Sequence, residues 1–390
     1  MNYVRTTCLY VLAGLFSLPC EGQFDFRAAT VQVLRDHVLQ EAAWAMEQEP
    51  VTVTATRAPK SAGGKHDFFS EGDYWWPDPS NPGGPYVQRD GQSNPENFIA
   101  HRIAMIRFSQ IVGALASAYV VTDDNKYVSH AFRHARAWFV DSTTLMNPSL
   151  LYAQAIQGRF TGRSIGIIDT IHLMEVAQGL SVMQHCGTVD QSVLASVKEW
   201  FSKYVAWLTT HPYGKDEMKA QNNHGTCWVM QVAAFTKFTG DQEMLAFCRE
   251  RYKTVLLPDQ MAADGSFPRE LGRTKPYGYS LFNLDAMAMI CQILSNEKDD
   301  LWRYRTADDK SVEKGIRFLV PFIEDKSKWS YRPDVMYWEN WPVAQPMLVF
   351  AAKAFDNTEW FGVWEKLDHS PAVPEVIRNL PVRNPIIWLN

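Results

Sequence analysis

The feature that most constrains this chain is a period. Phe108, Val112, Leu115 and Tyr119 recur at intervals of three and four, the spacing of one helix face. Tyr127, Ala131, His134 and Trp138 continue it after a polar break, and Trp228, Val232 and Phe235, then Leu281, Leu284, Ala288 and Cys291, repeat it. The breaks are alike. Thr122-Asp123-Asp124 and Thr239-Gly240-Asp241 are close copies, with looser ones at Gly187-Thr188-Val189-Asp190 and Asp356-Asn357-Thr358-Glu359. Turns of this composition cap the end of one helix and the start of the next, so each marks an αα-hairpin. Hairpins of this size must stack to bury their apolar faces. Irregular repeats and long intervening loops predict closure into an all-α fold, an α/α toroid (an incomplete barrel of stacked hairpins) with a cleft at one end, rather than an open superhelix.

Two segments interrupt the helical pattern. Residues 66–97 hold five prolines, and residues 141–169 form a second stretch without a helical period. Long ordered loops in compact domains commonly carry function. No linker rich in Pro, Gly or Ser divides the chain, which predicts one catalytic domain over residues 23–390. Before it, Arg5 precedes an apolar run from Cys8 to Leu18, then Pro19, Cys20, Glu21 and Gly22. This reads as a signal peptide over residues 1–22, cleaved before Gln23, and predicts a secreted or periplasmic protein. Pro19 argues against lipidation of Cys20. The run is too short to span a bilayer, and no later segment is expected to do so. Cys186, Cys227, Cys248 and Cys291 match no metal-binding spacing and sit in helical stretches, so buried thiols are expected. With 38 basic and 43 acidic residues the net charge is −5, which argues against a nucleic-acid partner. The 14 Trp, 15 Tyr and 21 Phe suit a large helical core, a carbohydrate cleft, or both.

Four clusters can carry chemistry. Gln221-Asn222-Asn223-His224 stands at the start of the Trp228 helix. It is either an ordinary N-cap with a solvated histidine, or an amide and an imidazole facing a cleft, one donating to a carboxylate and the other accepting a proton. Pro268 to Tyr279 packs Arg269, Arg273, Lys275, Tyr277 and Tyr279 into a stretch that Gly and Pro keep from being a regular solvated helix. Arginine suits bidentate carboxylate recognition, and a tyrosine among cations is expected to have a stabilised phenolate. Tyr74-Trp75-Trp76-Pro77 reads as a loop pinned by buried rings or as a wall on which sugars stack. Asn147, Tyr152, Gln154, Arg159 and Arg163 gather polar groups in the second loop, each a weak signal alone.

Other chemistries find less support. Asp169, Glu175, Asp285 and Glu339 are the carboxylates considered for glycoside hydrolysis, and none has a convincing acid/base context. No nucleophile-elbow, phosphate-loop, zinc-protease or dinucleotide fingerprint occurs. His130 and His134 share a helix face but lack a third ligand, so they read as packing or surface histidines and no metal is expected.

NNHGTCW at 222–228, PRELGRTKPYGYSLFNLDA at 268–286, SEGDYWWPDP and MNPSLLYAQAIQGRFTGR resemble the alginate-lyase group of polysaccharide lyases over most of the chain after the leader. Within that group the chain looks more like gut-bacterial alginate and uronan lyases than the mannuronate-specific enzymes. Those enzymes place their tyrosine one residue further beyond the arginine, and Tyr279 is chosen over Tyr277 because it directly precedes SLFNLDA. The resemblance implies β-elimination on an anionic polysaccharide: alginate, polymannuronate, polyguluronate or glucuronan. Asn223 and Arg273 would neutralise the uronate carboxylate while Tyr279, with His224, moves protons. Tyr74, Trp75, Trp76, Asn147, Tyr152, Gln154, Arg159, Arg163, Asn222, Arg269, Lys275 and Tyr277 would contact substrate. It implies no cofactor. A glycoside hydrolase on the same toroid and a non-catalytic glycan-binding protein are the alternatives.

Overall fold

The computed structural model describes residues 24–389, so the leader expected over residues 1–22 lies outside the described residues. The first half carries helices α1 (Phe26–Met46), α2 (Ala100–Thr122), α3 (Asn125–Phe139), α4 (Leu173–Met183), α5 (Gln191–Thr210) and α6 (Pro212–Met218). The second half adds α7 (Asn223–Thr239), α8 (Gln242–Arg251), α9 (Leu257–Gln260), α10 (Pro268–Leu271) and α11 (Pro276–Leu294). The chain ends with α12 (Val312–Glu324), α13 (Pro346–Phe355), α14 (Thr358–Glu365) and α15 (Pro374–Arg378).

Helices α2, α4, α7, α11 and α13 pack in succession as an inner layer, with α3, α5, α8, α12 and α14 outside them and α1 bridging α2 and α13. The fold is the expected α/α toroid. Sequence explains the layering. In α12 the buried residues Val312, Gly315, Ile316, Leu319, Val320 and Ile323 form one stripe, as an outer helix requires. In α11 every residue except Gln292 is buried, the pattern of a helix enclosed on all sides. The same enclosure corrects one expectation: Ala100–Thr122 and Ser164–Met183 are long and apolar enough to cross a membrane by length and composition. Both are largely buried against other helices here, which accounts for their apolar character.

All four predicted breaks are helix junctions. Asp123, Gly240 and Asp356 take left-handed backbone angles after α2, α7 and α13, with φ of 57°, 89° and 52°. The next carboxylate or amide then caps the following helix: Asp124 accepts from the Lys126 N–H, Asp241 from Met244 and Asn357 from Trp360. Asp190 caps α5 in the same way. Each such cap stabilises a helix by about 1 kcal/mol.

The two long loops contain short strands that periodicity could not reveal. In the first lie β1 (Phe69–Glu71), β2 (Trp75–Trp76) and β3 (Val87–Gln88); β4 (Tyr152–Ala155) lies in the second. Strand β1 runs parallel to β4, pairing Phe69 with Tyr152, and β2 is antiparallel to β3. The loops are thereby joined to each other at the rim. The C-terminal segment is tied into the inner layer, where Glu175 of α4 accepts from the Arg383 N–H and Gln292 of α11 donates to the Trp388 carbonyl. Cys186, Cys227, Cys248 and Cys291 are buried thiols. His130 and His134 hydrogen-bond carbonyls at the end of α1, a packing role.

Candidate active site

One cleft is lined by Asn223, His224, Arg273 and Tyr279 together with Tyr74, Trp75, Gln154 and Arg163. The first two stand at the N-terminus of α7. Asn222 caps that helix by accepting from the His224 N–H. The buried carboxylate of Glu270 receives the Asn223 backbone N–H at 2.7 Å and its Nδ2 at 2.9 and 3.0 Å. His224 places Nδ1 2.6 Å from Glu217 of α6, whose side chain is 1% exposed. Both cleft-lining residues are therefore held from behind by buried acids.

Arg273 follows α10, and Asp90 of the first loop fixes its guanidinium at 2.8 Å. Its Nη2 lies 3.4 Å from the Tyr279 hydroxyl and its Cζ 4.4 Å from the ring centroid. Tyr279 owes its direction to the start of α11. Pro276 occupies the first turn, and Asp334 accepts the Tyr277 and Gly278 N–H groups at 2.9 Å. A Cβ on Gly278 would fall 2.9 Å from Asp334, so this close approach needs glycine. Residues two apart on a helix diverge by about 200°. Tyr279 accordingly faces the cleft, while Tyr277 packs on Trp329 and Trp338 and donates to the Phe322 carbonyl.

The opposite wall is an ion network. Tyr74 meets the Tyr279 hydroxyl at 2.7 Å and receives Arg378 at 3.2 Å. Glu375 pairs with Arg378 and Lys275, and Asp73 pairs with Arg102 and Arg378. Burial pushes the Glu375 carboxyl up, but Arg378 and Lys275 outweigh it and hold it down at about 2. Tyr279 departs from expectation. Burial and the neighbouring Tyr74 raise its phenol well above the ordinary tyrosine value, and Lys275 and Arg273 only partly oppose them. The resting side chain is a phenol, because Lys275 is already neutralised by Glu375 and Arg273 by Asp90.

The remaining candidates divide. Gln154 and Arg163 line the cleft, Arg163 donating to the Gln154 carbonyl at 2.8 Å. Among the described residues no carboxylate reaches ion-pair distance of Arg163, and burial lowers its guanidinium to about 10. Trp75 has both Arg159 and Arg163 against its ring, but Arg159 lines a neighbouring groove with Lys60. Seven further expected substrate contacts lie elsewhere for structural reasons. Trp76 binds the Gln92 carbonyl under Arg89, Asn147 binds Asp67, and Tyr152 packs on Gly63. Asn222 is spent as a cap, and the exposed Arg269 binds Gln221. Tyr277 belongs to the core, and Lys275 sits behind Tyr279 rather than in the cleft, 5.2 Å from its ring centroid.

Sequence reading missed Asp73, Asp90, Glu217, Glu270, Glu375 and Arg378. Glu270 lies inside the Pro268–Tyr279 motif and Asp73 inside SEGDYWWPDP, so their positions were the available signals; the others have no local pattern. Of the hydrolase candidates, Asp169 binds Arg102 and Ser70, Glu175 binds the C-terminal segment, and Asp285 accepts the Met347 N–H. Glu339 is exposed at the surface. The two acids that do line the cleft, Asp73 and Asp90, are both paired with arginine.

Comparison with known proteins gives the same direction. The family model described as alginate lyase matches residues 52–329. A crystal structure of an alginate lyase from Bacteroides ovatus superposes with a TM-score of 0.79 at 30% identity, covering 91% of this chain and 97% of that one. Alginate lyase A1-III from Sphingomonas species A1 gives 0.54 at 16% identity, covering 82% and 87%, a likeness of fold alone. A form of alginate lyase A1-III complexed with a tetrasaccharide gives 0.57 at 16% identity, covering 82% and 86%. No curated protein sequence matches the chain. With a family match across most of its length and a 30%-identical relative of the same toroid, the chain belongs to the alginate lyase family of polysaccharide lyases.

Proposed function

We propose that the protein depolymerises alginate or a related polyuronate by β-elimination, with Asn223 and Arg273 neutralising the sugar carboxylate, Tyr279 as acid and His224 as base where the proton and leaving group lie on opposite faces of the sugar. The observation that carries this reading is the convergence of these four side chains on one cleft, with Arg273 and Tyr279 in contact. A uronate C5–H is very weakly acidic beside a charged carboxylate. Donors aimed at that carboxylate let charge move onto its oxygens as the proton leaves. One Asn223 hydrogen and the outer edge of Arg273 remain for this after Glu270 and Asp90 take their share. The C5–H electron pair becomes the C4–C5 double bond, the C4–O4 bond breaks, and the Tyr279 proton passes to O4. A phenol at rest suits that last step.

Arg163 supports an anionic ligand independently. A guanidinium half-buried without an acidic partner is costly, and a uronate carboxylate would relieve that cost. The net charge of −5 is no obstacle, because the cleft focuses its own local potential. Export through the leader at residues 1–22 is part of the proposal, and N-terminal sequencing of the mature protein should begin at Gln23.

The test is incubation with polymannuronate, polyguluronate and glucuronan, followed by the ultraviolet absorbance of the unsaturated product. Reducing ends without that absorbance would mean hydrolysis, and binding without either would mean a glycan-binding protein. His224→Ala should reduce guluronate cleavage more than mannuronate cleavage. In guluronate the proton and leaving group lie on opposite faces and need separate residues; in mannuronate they share a face. Equal losses would remove His224 from the role of base.

A further inference from the structure

We propose that Glu217 is a positioning residue that fixes His224 in the tautomer protonated on Nδ1, so that Nε2 meets the substrate as a proton acceptor. The inference rests on the elimination chemistry proposed above and adds a residue to it. Glu217 lies on α6, in a sequence stretch with no recognisable motif, and its side chain is buried. Its Oε1 stands 2.6 Å from Nδ1 of His224, and among the described residues its Oε2 has no hydrogen-bond partner. The imidazole thus supplies the hydrogen bond that this carboxylate receives.

An ionised carboxylate can only accept, so Nδ1 must carry the hydrogen. An imidazole ordinarily holds a proton more tightly than a carboxylate does, which keeps it on the nitrogen side of the pair. The ring lines the cleft, and Nε2 is the nitrogen left to face it. The turn between the helices holds this arrangement closely. The Gly225 N–H binds the Asn222 carbonyl, and a Cβ at Gly225 would come within 2.1 Å of the Ala220 carbonyl. When Nε2 takes the C5 proton, the resulting imidazolium stands directly against the Glu217 carboxylate, which stabilises it. The proton returns to solvent after the product leaves, and Tyr279 regains its own.

Glu217→Gln is the deciding substitution because it preserves shape while removing the charge that holds the Nδ1 hydrogen and would stabilise the imidazolium. Where its N–H₂ meets Nδ1 it also drives the ring proton to Nε2, which blocks acceptance. We expect turnover on polyguluronate to fall about 100-fold or more with KM within about threefold of wild type and an unchanged melting temperature. Glu217→Asp keeps an acceptor and should retain more activity than the Gln variant despite its shorter reach. A packing role predicts the reverse order, Gln above Asp. Nitrogen NMR of histidine-labelled wild type, assigned by the signal lost in His224→Ala, should show a protonated Nδ1 and a bare Nε2. A protonated Nε2 in neutral His224 of the wild type, or a Gln variant with wild-type turnover, would overturn the inference. If wild type yields no unsaturated product from any polyuronate, the elimination reading fails instead, and the NMR experiment still decides the tautomer.

Discussion

Asn223 and His224 reach the cleft from one helix start, whereas Tyr74 and Arg378 reach it from a loop and a five-residue helix separated by some three hundred residues. On the helix wall each cleft-facing group has its own buried acid behind it: Glu270 for Asn223 and Glu217 for His224. On the loop wall the acids and cations are shared, with Glu375 serving both Lys275 and Arg378 and Asp73 serving both Arg102 and Arg378. A helix start fixes a side chain by short-range geometry, so one partner suffices. A loop wall has no such frame and needs a network that constrains several segments together. The consequence is that perturbation should stay local on the first wall and spread on the second.

Tyr279 is where the walls meet, touching Arg273 on one side and Tyr74 on the other. Tyr279→Phe keeps the ring and removes the proton. It should cost about 10³-fold in turnover on every polyuronate, while calorimetry shows oligosaccharide binding largely retained. Turnover within tenfold of wild type would remove Tyr279 from the chemistry and leave the two walls without a common reacting group.

Arg378→Met tests the spread. Removing one partner from a buried ion network leaves Glu375 and Asp73 under-compensated, at a cost of about 3–5 kcal/mol in denaturant melts at neutral pH. The sign with pH follows from Glu375, whose folded value of about 2 lies below the unfolded carboxyl value. The stabilisation is present above the unfolded value and is lost as pH falls toward 2. Wild type should therefore lose stability across that acid window more steeply than the variant. Parallel curves would mean that the network is not what holds the loop wall.

How much of this was legible depends on the same distinction. The hairpin breaks were readable because a cap and its helix are neighbours in sequence, as at Asp123-Asp124 and Gly240-Asp241. Asn223, His224, Arg273 and Tyr279 were readable because each motif sits at a helix start or just before one. The loop wall was not. Arg378 is held by contacts with Tyr74, Asp73 and Glu375, and nothing near residue 378 announces them. Trp76, Asn147 and Tyr152 show the converse. Aromatic and polar residues in a long loop resemble a binding wall, yet these three are used to hold the loop in place.

Asp285 offers a control inside the inner layer. It is as buried as the acids of the loop wall, but among the described residues it has no cation, only the Met347 N–H, and burial raises its carboxyl to about 7. The sign is opposite to that of Glu375. A raised folded value means that stability falls as pH rises from the unfolded value toward 7. Asp285→Asn keeps the acceptor and removes the charge. It should stabilise the protein by about 4 kcal/mol above pH 7, with the difference vanishing at about pH 4. A gain independent of pH would show that packing, not ionisation, separates this acid from those of the site.

Trp75 gives the smallest effect and the finest test of the loop wall. Its indole lines the cleft with Arg159 and Arg163 against it, 5.4 and 5.7 Å from the ring centroid, and belongs to neither the ion network nor the proton-carrying group. Trp75→Ala removes one sugar-facing surface and lets Arg163 lose its preferred direction, a loss of about 1–2 kcal/mol. KM should rise about tenfold while kcat stays within about twofold, because the indole binds ground state and transition state alike. A fall in kcat with KM unchanged would mean that Trp75 orients the reacting ring itself. The loop wall would then take part in the chemical step through its outermost residue, and the division between a precise helix wall and a merely supporting loop wall would no longer hold.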